Sequence, residues 1–473
     1  MASCKEGDTR ETRMLPSTPC YGHVGCVGRR AQSIIGVPPV WISRDLANCA
    51  PPRHRLEVYA PLRGAKTGLQ TATLSRCIIR TSMSDFFQHG LISTLHRLVD
   101  DPIADRVDDL LPGTGPIDLL LPCHYAEIGT AALDGIVDRL RTASFLSGIV
   151  ISMNGIPDGR AEEMHRFWSR LQKPYVILRN DSPSLLDQLR KRDLASSPGK
   201  GLNIWLALGW LASHRASGTI LIHDCDIANY ELDITASLAI PIARMGYSFC
   251  KGYYSRVREE LFGRVTRLFV IPLVRSLERV IGHTPLLDFI DSFRYPLAGE
   301  YSIKFETAME LPIESGWGLE IGSLCELHRH LDPVAVCQVD LAISYDHKHR
   351  IVDPGRPGEG LLHTVSEVAV SLLTHLEREG CRLDAKTLEN VEKAYRTVSK
   401  DFVRRYQHVA ILNGLPFDVS REQRTADAFA KTLSETSSEF VRGTRSRSLP
   451  PWRRILRSDW RPEFSVLAEQ SSG

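Results

Sequence analysis

The pattern of apolar and polar positions changes character at Met83. Beyond it, short apolar runs alternate with stretches of helical spacing, whereas residues 1–82 sustain neither period. Residues 86–99 carry Phe87, Leu91, Leu95 and Leu98 at helical spacing and predict an amphipathic helix, closed by Pro112-Gly113-Thr114-Gly115-Pro116. Residues 117–122 (IDLLLP) form a run of buried-strand type, followed by the turn Cys123-His124-Tyr125-Ala126-Glu127 and a helical stretch over 128–140. Further strands are predicted at 148–153, with Asn154-Gly155 in the turn after it, and at 175–178. A helix over 202–214 leads into another strand at 219–222, and a late strand, 341–350, runs into a histidine-rich turn. Strands alternating with helices imply parallel β–α–β units. The predicted class is therefore α/β, a doubly wound, mostly parallel, Rossmann-like sheet. Residues 361–379 and 385–406 are helical in pattern and separated by Gly380, which predicts a C-terminal appendage that packs and dimerises. Residues 442–461 are basic, with Pro450-Pro451 and two tryptophans, and read as a flexible, solvated tail.

Composition narrows the class without fixing it. With 473 residues, 43% hydrophobic and 24% charged, the chain has room for a large domain and an attachment. A formal charge of +2 argues against a dedicated nucleic-acid binder. No apolar run approaches the roughly 18 residues of a membrane span. The 11 cysteines show no Cys-x-x-Cys pair, which fits neither a zinc module nor a disulfide scaffold and points to a reducing cytoplasm. Charge is unevenly spread: residues 1–82 hold 12 Lys+Arg against 5 Asp+Glu, and the remainder 46 against 51. The expected organisation is a disordered or non-native extension over 1–82, with Met83 the natural start. A sheet domain over 83–350, a helical region over 351–430 and the basic tail over 431–473 follow it.

The chemistry-bearing residues gather where the strands end. Asp224 and Asp226, in HDCD after the strand at 219–222, put hard oxygen ligands at the edge of an α/β sheet, where ligands of such folds collect. That suits a divalent cation holding a diphosphate, and a surface turn whose aspartates cap the next segment fits the same residues. Lys200, within Ser197-Pro198-Gly199-Lys200-Gly201, stands ahead of a helix amino end and can meet an anion, although a solvated loop has the same composition. Arg264 and Thr266, in Gly263-Arg264-Val265-Thr266, pair a guanidinium with a hydroxyl and suit a phosphate or carboxylate. An exposed loop with capping chemistry fits them too. Glycine is dense in the apolar stretch from Gly316 to Gly322, which signals tight turns or close backbone approach. His347 and His349, two residues apart at a strand end, are candidate ligands.

The order of these motifs resembles that of the glucosyl-3-phosphoglycerate synthases, which are retaining GT-A glycosyltransferases. In sequence they are Pro122 with Glu127, Gly-Lys-Gly at 199–201, Asp-x-Asp at 224–226, Lys-Gly-Tyr-Tyr at 251–254 and Gly-Arg-Val-Thr at 263–266. Gly-Glu-Tyr at 299–301, Gly-Trp-Gly-x-Glu-Ile-Gly at 316–322 and the late His347 before basic residues complete the series. The resemblance runs over residues 117–350, more loosely to 418, and excludes the first 82. It implies that Pro122, Glu127 and Asn154 lie on the UDP-glucose side, with Lys200 near the nucleotide and Glu320 facing the glucose hydroxyls. It also implies that Asp224, Asp226 and His347 hold Mg²⁺ or Mn²⁺, and that Gly263, Arg264, Thr266 and His349 lie on the 3-phosphoglycerate side. Asp226, Glu320 and Lys200 are the residues to which it gives the chemistry, with Glu320 open as a sugar-positioning group or an alternative nucleophile. The cysteine usage and the helical appendage add the expectation of a cytoplasmic homodimer, with no nucleic-acid or membrane partner. Other readings remain open at this point: GDP-mannose as donor, glycerate as acceptor, a non-catalytic sugar-nucleotide binder, or a nucleotidyltransferase.

Overall fold

The computed structural model describes residues 88, 90–99, 101–194, 199–342 and 360–470. The expected extension over 1–82 lies outside them, as do Ser197, Pro198, His347 and His349. Eleven strands can be followed: β1 (Ser93–Leu95), β2 (Ile117–His124), β3 (Gly148–Asn154), β4 (Tyr175–Arg179), β5 (Thr219–Ile222), β6 (Phe249–Tyr254), β7 (Tyr301–Lys304), β8 (Ile313–Glu314), β9 (Val336–Ala342), β10 (Ser448–Leu449) and β11 (Val466–Gln470). Nine of them form one sheet in the order β1-β9-β6-β7-β5-β2-β3-β4-β11, and β8 pairs with β10 apart from it. Neighbours run parallel except around β7 and at β11, which lies antiparallel on β4. The chain moves outward from β2 through β3 to β4 and then returns to place β5 on the other side of β2. That reversal opens a crevice at the carboxyl ends of β2 and β5, the place where open α/β sheets bind ligands.

Alternation along the strands fills both faces of the sheet. Leu119, Leu121, Ile149, Ile151 and Leu221 join one core, beneath α1 (Ala131–Leu140). Leu120, Val150, Ile220 and Ile222 join the other, beneath α2 (Lys200–His214). α2 is buried on nearly every side, which explains why its sequence is apolar all round. α3 (Leu232–Ala243) belongs to the first core. A third core holds the helical part. In it a π-helical turn (Val265–Val270) and α4 (Ile271–Ile281) pack on α6 (Leu361–Arg378), α7 (Ala385–Leu412) and α8 (Val419–Val441), while α5 (Leu319–His330) lies between this bundle and the sheet. Gly380, at φ 89°, takes the left-handed conformation that ends α6. The cysteines among the described residues are free thiols, and no described helix is long and apolar enough to cross a membrane.

Three expectations are corrected. The late strand predicted at 341–350 is β9, which begins earlier, at Val336, because its pairing with β6 and β1 sets its register; residues 343–350 lie outside the described residues. The described part of residues 86–99 is not a helix: Ser93–Leu95 is a strand lying parallel on β9, and Gly90 has φ 89°. The helical spacing there was carried by residues that end up exposed, Leu91 and Leu98, while the edge of β9 and the Gln88 side chain take the backbone of Thr94. The described part of the expected tail over 431–473, residues 431–470, is no flexible tail either. α8 runs to Val441, β10 pairs with β8, α9 (Trp452–Leu456) follows, and β11 closes the edge of the main sheet. Trp452 accounts for this. Its indole donates to the Trp205 carbonyl at 2.6 Å, Trp205 donates to the Pro450 carbonyl at 2.7 Å, and the two rings lie 4.4 Å apart. Gly209 makes room for it, since a Cβ there would stand 2.0 Å from the Trp452 ring.

Truncating this side chain should therefore unfold more than a tail. Trp452→Ala is expected to cost about 3–5 kcal/mol, read as a drop in the denaturant midpoint of the whole domain. An unchanged midpoint would show that the C-terminal segment is not part of the cooperative unit.

Candidate active site

The crevice predicted by the strand order opens into a cavity of about 580 Å³. Pro122, Glu127 and Asn154 reach it from the ends of β2 and β3, Asp224 and Asp226 from the turn after β5, and Lys200 from the first residue of α2. Lys200 Nζ lies 2.6 Å from Asp224 Oδ1 and 3.1 Å from Glu320 Oε1, so one ammonium ties α2, the β5 turn and the start of α5 together. The backbone passes close: a Cβ on Gly299 would meet Asp224 Oδ2 at 2.3 Å and Lys200 Nζ at 2.6 Å.

Charge in this centre is unbalanced. Burial alone would discharge Lys200, but Asp224, Glu320 and Glu300 outweigh it and hold the ammonium well above its usual range. Lys251, fully buried behind it and donating to the Ala298 carbonyl at 2.8 Å, is pushed down by burial to about 8. Glu300, wholly buried, accepts from the Tyr254 hydroxyl at 2.8 Å. Asp226 is pushed up to about 7, first by burial and then by its neighbours Asp224 and Glu300. Carboxyl groups thus crowd Lys200 and Lys251, with Glu127 and the Arg256 guanidinium also facing the cavity. His223, beside them, takes no part as a cation, because burial drives its imidazole down to about 3 and its Nδ1 shares a 2.7 Å hydrogen bond with Tyr230.

The far side of the same cavity has a different make-up. Gly263, at φ 71°, turns the chain into the π-helical turn that begins with Val265, so Arg264, Val265 and Thr266 sit at a helix amino end. π-helical turns recur at functional sites. Arg264 is only 9% exposed yet lines the cavity, and the buried Thr266 Oγ1 has no hydrogen-bond partner among the described residues. The structure therefore brings ten of the predicted residues to one cavity: Pro122, Glu127, Asn154, Lys200, Asp224, Asp226, Gly263, Arg264, Thr266 and Glu320.

Several lining residues carried no sequence signal. Arg256 and Tyr295 enter from loops, and Leu361 and Thr364 from the start of α6, so the helical region is more than a packing appendage. The glycines of residues 316–322 serve close approach to side chains. A Cβ on Gly318 would meet Glu314 Oε2 at 2.3 Å, one on Gly316 would meet Glu367 Oε2 at 2.4 Å, and Glu367 also takes the Trp317 N–H. Trp317 projects into the cavity mouth beside Glu320.

No family model matches the chain. It is 30% identical over 367 residues to a glucosyl-3-phosphoglycerate synthase of Persephonella marina, covering 76% of this chain and 91% of that one. A glucosyl-3-phosphoglycerate synthase of Methanococcoides burtonii is 30% identical over 385 residues, covering 79% and 94%. The crystal structure of glucosyl-3-phosphoglycerate synthase from Mycobacterium tuberculosis in complex with Mn²⁺, UDP and phosphoglyceric acid aligns with a TM-score of 0.44 and 21% identity, over 61% of this chain and 87% of that one.

The raised Asp226 carboxyl has a signature in stability. Its value rises from 3.8 to about 7 on folding, so in that window the folded chain keeps a proton the unfolded chain has lost, and stability falls as pH rises. In the presence of chelator, the Tm of Asp226→Asn relative to the parent should be higher at about pH 8 than at about pH 5. An equal difference at both pH values would mean that Asp226 is an ordinary surface carboxylate.

Proposed function

The chain belongs to the glucosyl-3-phosphoglycerate synthase family of glycosyltransferases, and from that premise we propose that it transfers glucose from UDP-glucose to the 2-hydroxyl of 3-phosphoglycerate with retention. The observation that carries this reading is the single cavity with two unlike ends. One end is a lysine–carboxylate centre at the tip of β5, and the other is a helix amino end with Arg264 and a buried Thr266 hydroxyl that has no hydrogen-bond partner among the described residues. A sugar nucleotide needs the first and a phosphorylated acceptor the second.

A divalent cation fits the first end. The carboxyl groups of Asp224, Asp226, Glu300 and Glu320 gather around Lys200, and burial, with Asp224 and Glu300 after it, holds the Asp226 carboxyl up at about 7. Asp224 and Asp226 would hold Mg²⁺ or Mn²⁺ through hard oxygens, with His347 as the further ligand. Once bound, the cation supplies the charge that the leaving diphosphate requires.

The protein's own groups do the rest. Lys200, already anchored between two carboxylates, meets the negative charge that builds as the glycosidic bond to the diphosphate breaks. Pro122, Glu127 and Asn154 line the side on which the uridine would lie. Glu320, fixed by Lys200 and the first turn of α5, faces the sugar hydroxyls. Gly263, Arg264 and Thr266 hold the acceptor phosphate, which brings the 2-hydroxyl to the face from which the leaving group departs, and the departing phosphate takes its proton. That same-face course needs no protein nucleophile and retains the anomeric configuration.

The test is nucleotide release by the full chain with Mg²⁺, using UDP-glucose and GDP-mannose against 3-phosphoglycerate, glycerate and no acceptor. UDP release that depends on 3-phosphoglycerate is expected. Release from GDP-mannose alone would reassign the donor, and release of pyrophosphate would make the protein a nucleotidyltransferase. Asp226→Ala should abolish turnover. Arg264→Lys, which keeps the charge but loses the fork, should weaken the acceptor by roughly 1.5–3 kcal/mol in KM and leave the donor KM nearly unchanged. Equal effects on both substrates would place Arg264 elsewhere.

A further inference from the structure

Glu422 stands outside the cavity and outside the stretch whose motifs resemble the family. It lies in the first turn of α8, is 3% exposed, and is separated from Arg264 by 158 residues of chain. Its Oε1 accepts from Arg264 Nε at 2.7 Å, and its Oε2 lies 2.5 Å from Arg267 Nη2. One buried carboxylate therefore serves two buried guanidiniums.

The two arginines are not equivalent. Arg267 is otherwise committed: its Nε donates to the Phe262 carbonyl and its Nη2 to the Leu261 carbonyl, each at 3.0 Å, while its plane lies 5.2 Å from the Tyr406 ring centre. It staples the loop ahead of Gly263 and does not line the cavity. Arg264 does line it. Its Nη2 donates only a 3.4 Å hydrogen bond to Glu260, a carboxylate shared with Arg421, and its Nη1 donates none among the described residues. Glu422 thus holds the Nε edge of Arg264 and fixes the plane of the guanidinium. The Nη edge is left as the weakly engaged part. With two guanidiniums to one fully buried carboxylate, positive charge remains in surplus beside the cavity.

We infer that Glu422 is a positioning residue for the acceptor. From the C-terminal helical region it orients Arg264 toward the oxyanion that the Gly263–Thr266 turn receives, so α8 belongs functionally to the acceptor pocket although it contributes no lining atom. This rests on the reading of that turn as the acceptor phosphate site. A clamp that merely held α8 to the domain would lower stability and would touch both substrates alike.

Steady-state kinetics of the full chain separates these roles. Glu422→Gln keeps shape and one acceptor oxygen but removes the charge, and should raise the KM for 3-phosphoglycerate about tenfold or more while the UDP-glucose KM stays within about twofold. Because it acts through Arg264, adding it to Arg264→Lys should raise the acceptor KM little further. Additive effects, or equal rises in both KM values, would overturn the inference. If Arg264→Lys raises the acceptor KM and Glu422→Gln does not, this inference falls and the assignment of the acceptor site stands. If neither variant moves it, the assignment falls as well. Should Glu422→Gln fail to fold, Glu422→Asp, which keeps the charge but draws it back by one methylene, is put through the same comparison, with the same results deciding.

Discussion

Lys200 sits between two carboxylates, 2.6 Å from Asp224 and 3.1 Å from Glu320, and those contacts join three elements that the chain brings together from far apart. The ammonium opens α2, Asp224 ends β5, and Glu320 starts α5. Around it acidic side chains are concentrated. Glu300 adds negative charge in a setting where water is largely excluded, which with burial holds the Asp226 carboxyl up, and burial lowers the readiness of Lys251 to be charged. Under the proposed function such a centre would take a cation and a diphosphate together, since each supplies what the other lacks. Glycine at 299 is required by the same crowding, because any side chain there would overlap both Asp224 and Lys200.

The C-terminal third of the chain is part of this machinery rather than an addition to it. Leu361 and Thr364 complete one wall of the cavity, Glu367 holds the turn that presents Glu320, and Glu422 holds Arg264. The last segment then crosses the molecule, seats Trp452 over Gly209 of α2 and pairs β11 with β4 at the far edge of the sheet. α2 is thus gripped along its length, with Glu314 against Gly201 at one end and Trp452 against Gly209 further along. Since Lys200 is its first residue, packing in the C-terminal region bears on the position of the reactive centre.

β6, β7 and most of β9 were not legible in the sequence, whereas the strands at 117–122, 148–153, 175–178 and 219–222, the helices over 128–140 and 202–214, and the turns that carry Asp224, Asp226, Lys200 and Arg264 were. Each depends on local facts: an apolar run long enough for a buried strand, a break, and polar residues at the break. The gathering of Pro122, Glu127, Asn154, Asp224 and Asp226 on one edge followed from the rule that parallel strands share an orientation. What the sequence misplaced were segments whose local pattern is weak and whose partners are distant. Leu91, Leu95 and Leu98 have helical spacing, but the free edge of β9 makes a strand of Ser93–Leu95. The basic composition of residues 442–461 suggests solvation, yet Trp205 and Gly209 offer Trp452 a slot that no local reading reveals.

The sequence by itself thus determined the α/β architecture, the candidate chemistry and, through the order of motifs, the family. Only the tertiary structure decided that the aspartate centre and the Gly263–Thr266 turn share one cavity, that Glu300 and Lys251 stand behind it, and that Glu422 orients Arg264. The physical reason is range. Periodicity and turn chemistry are properties of neighbours in the chain, whereas ion pairing, burial and charge balance belong to groups that folding brings together, and a glutamate on a helix looks the same in sequence whether it faces water or two buried arginines.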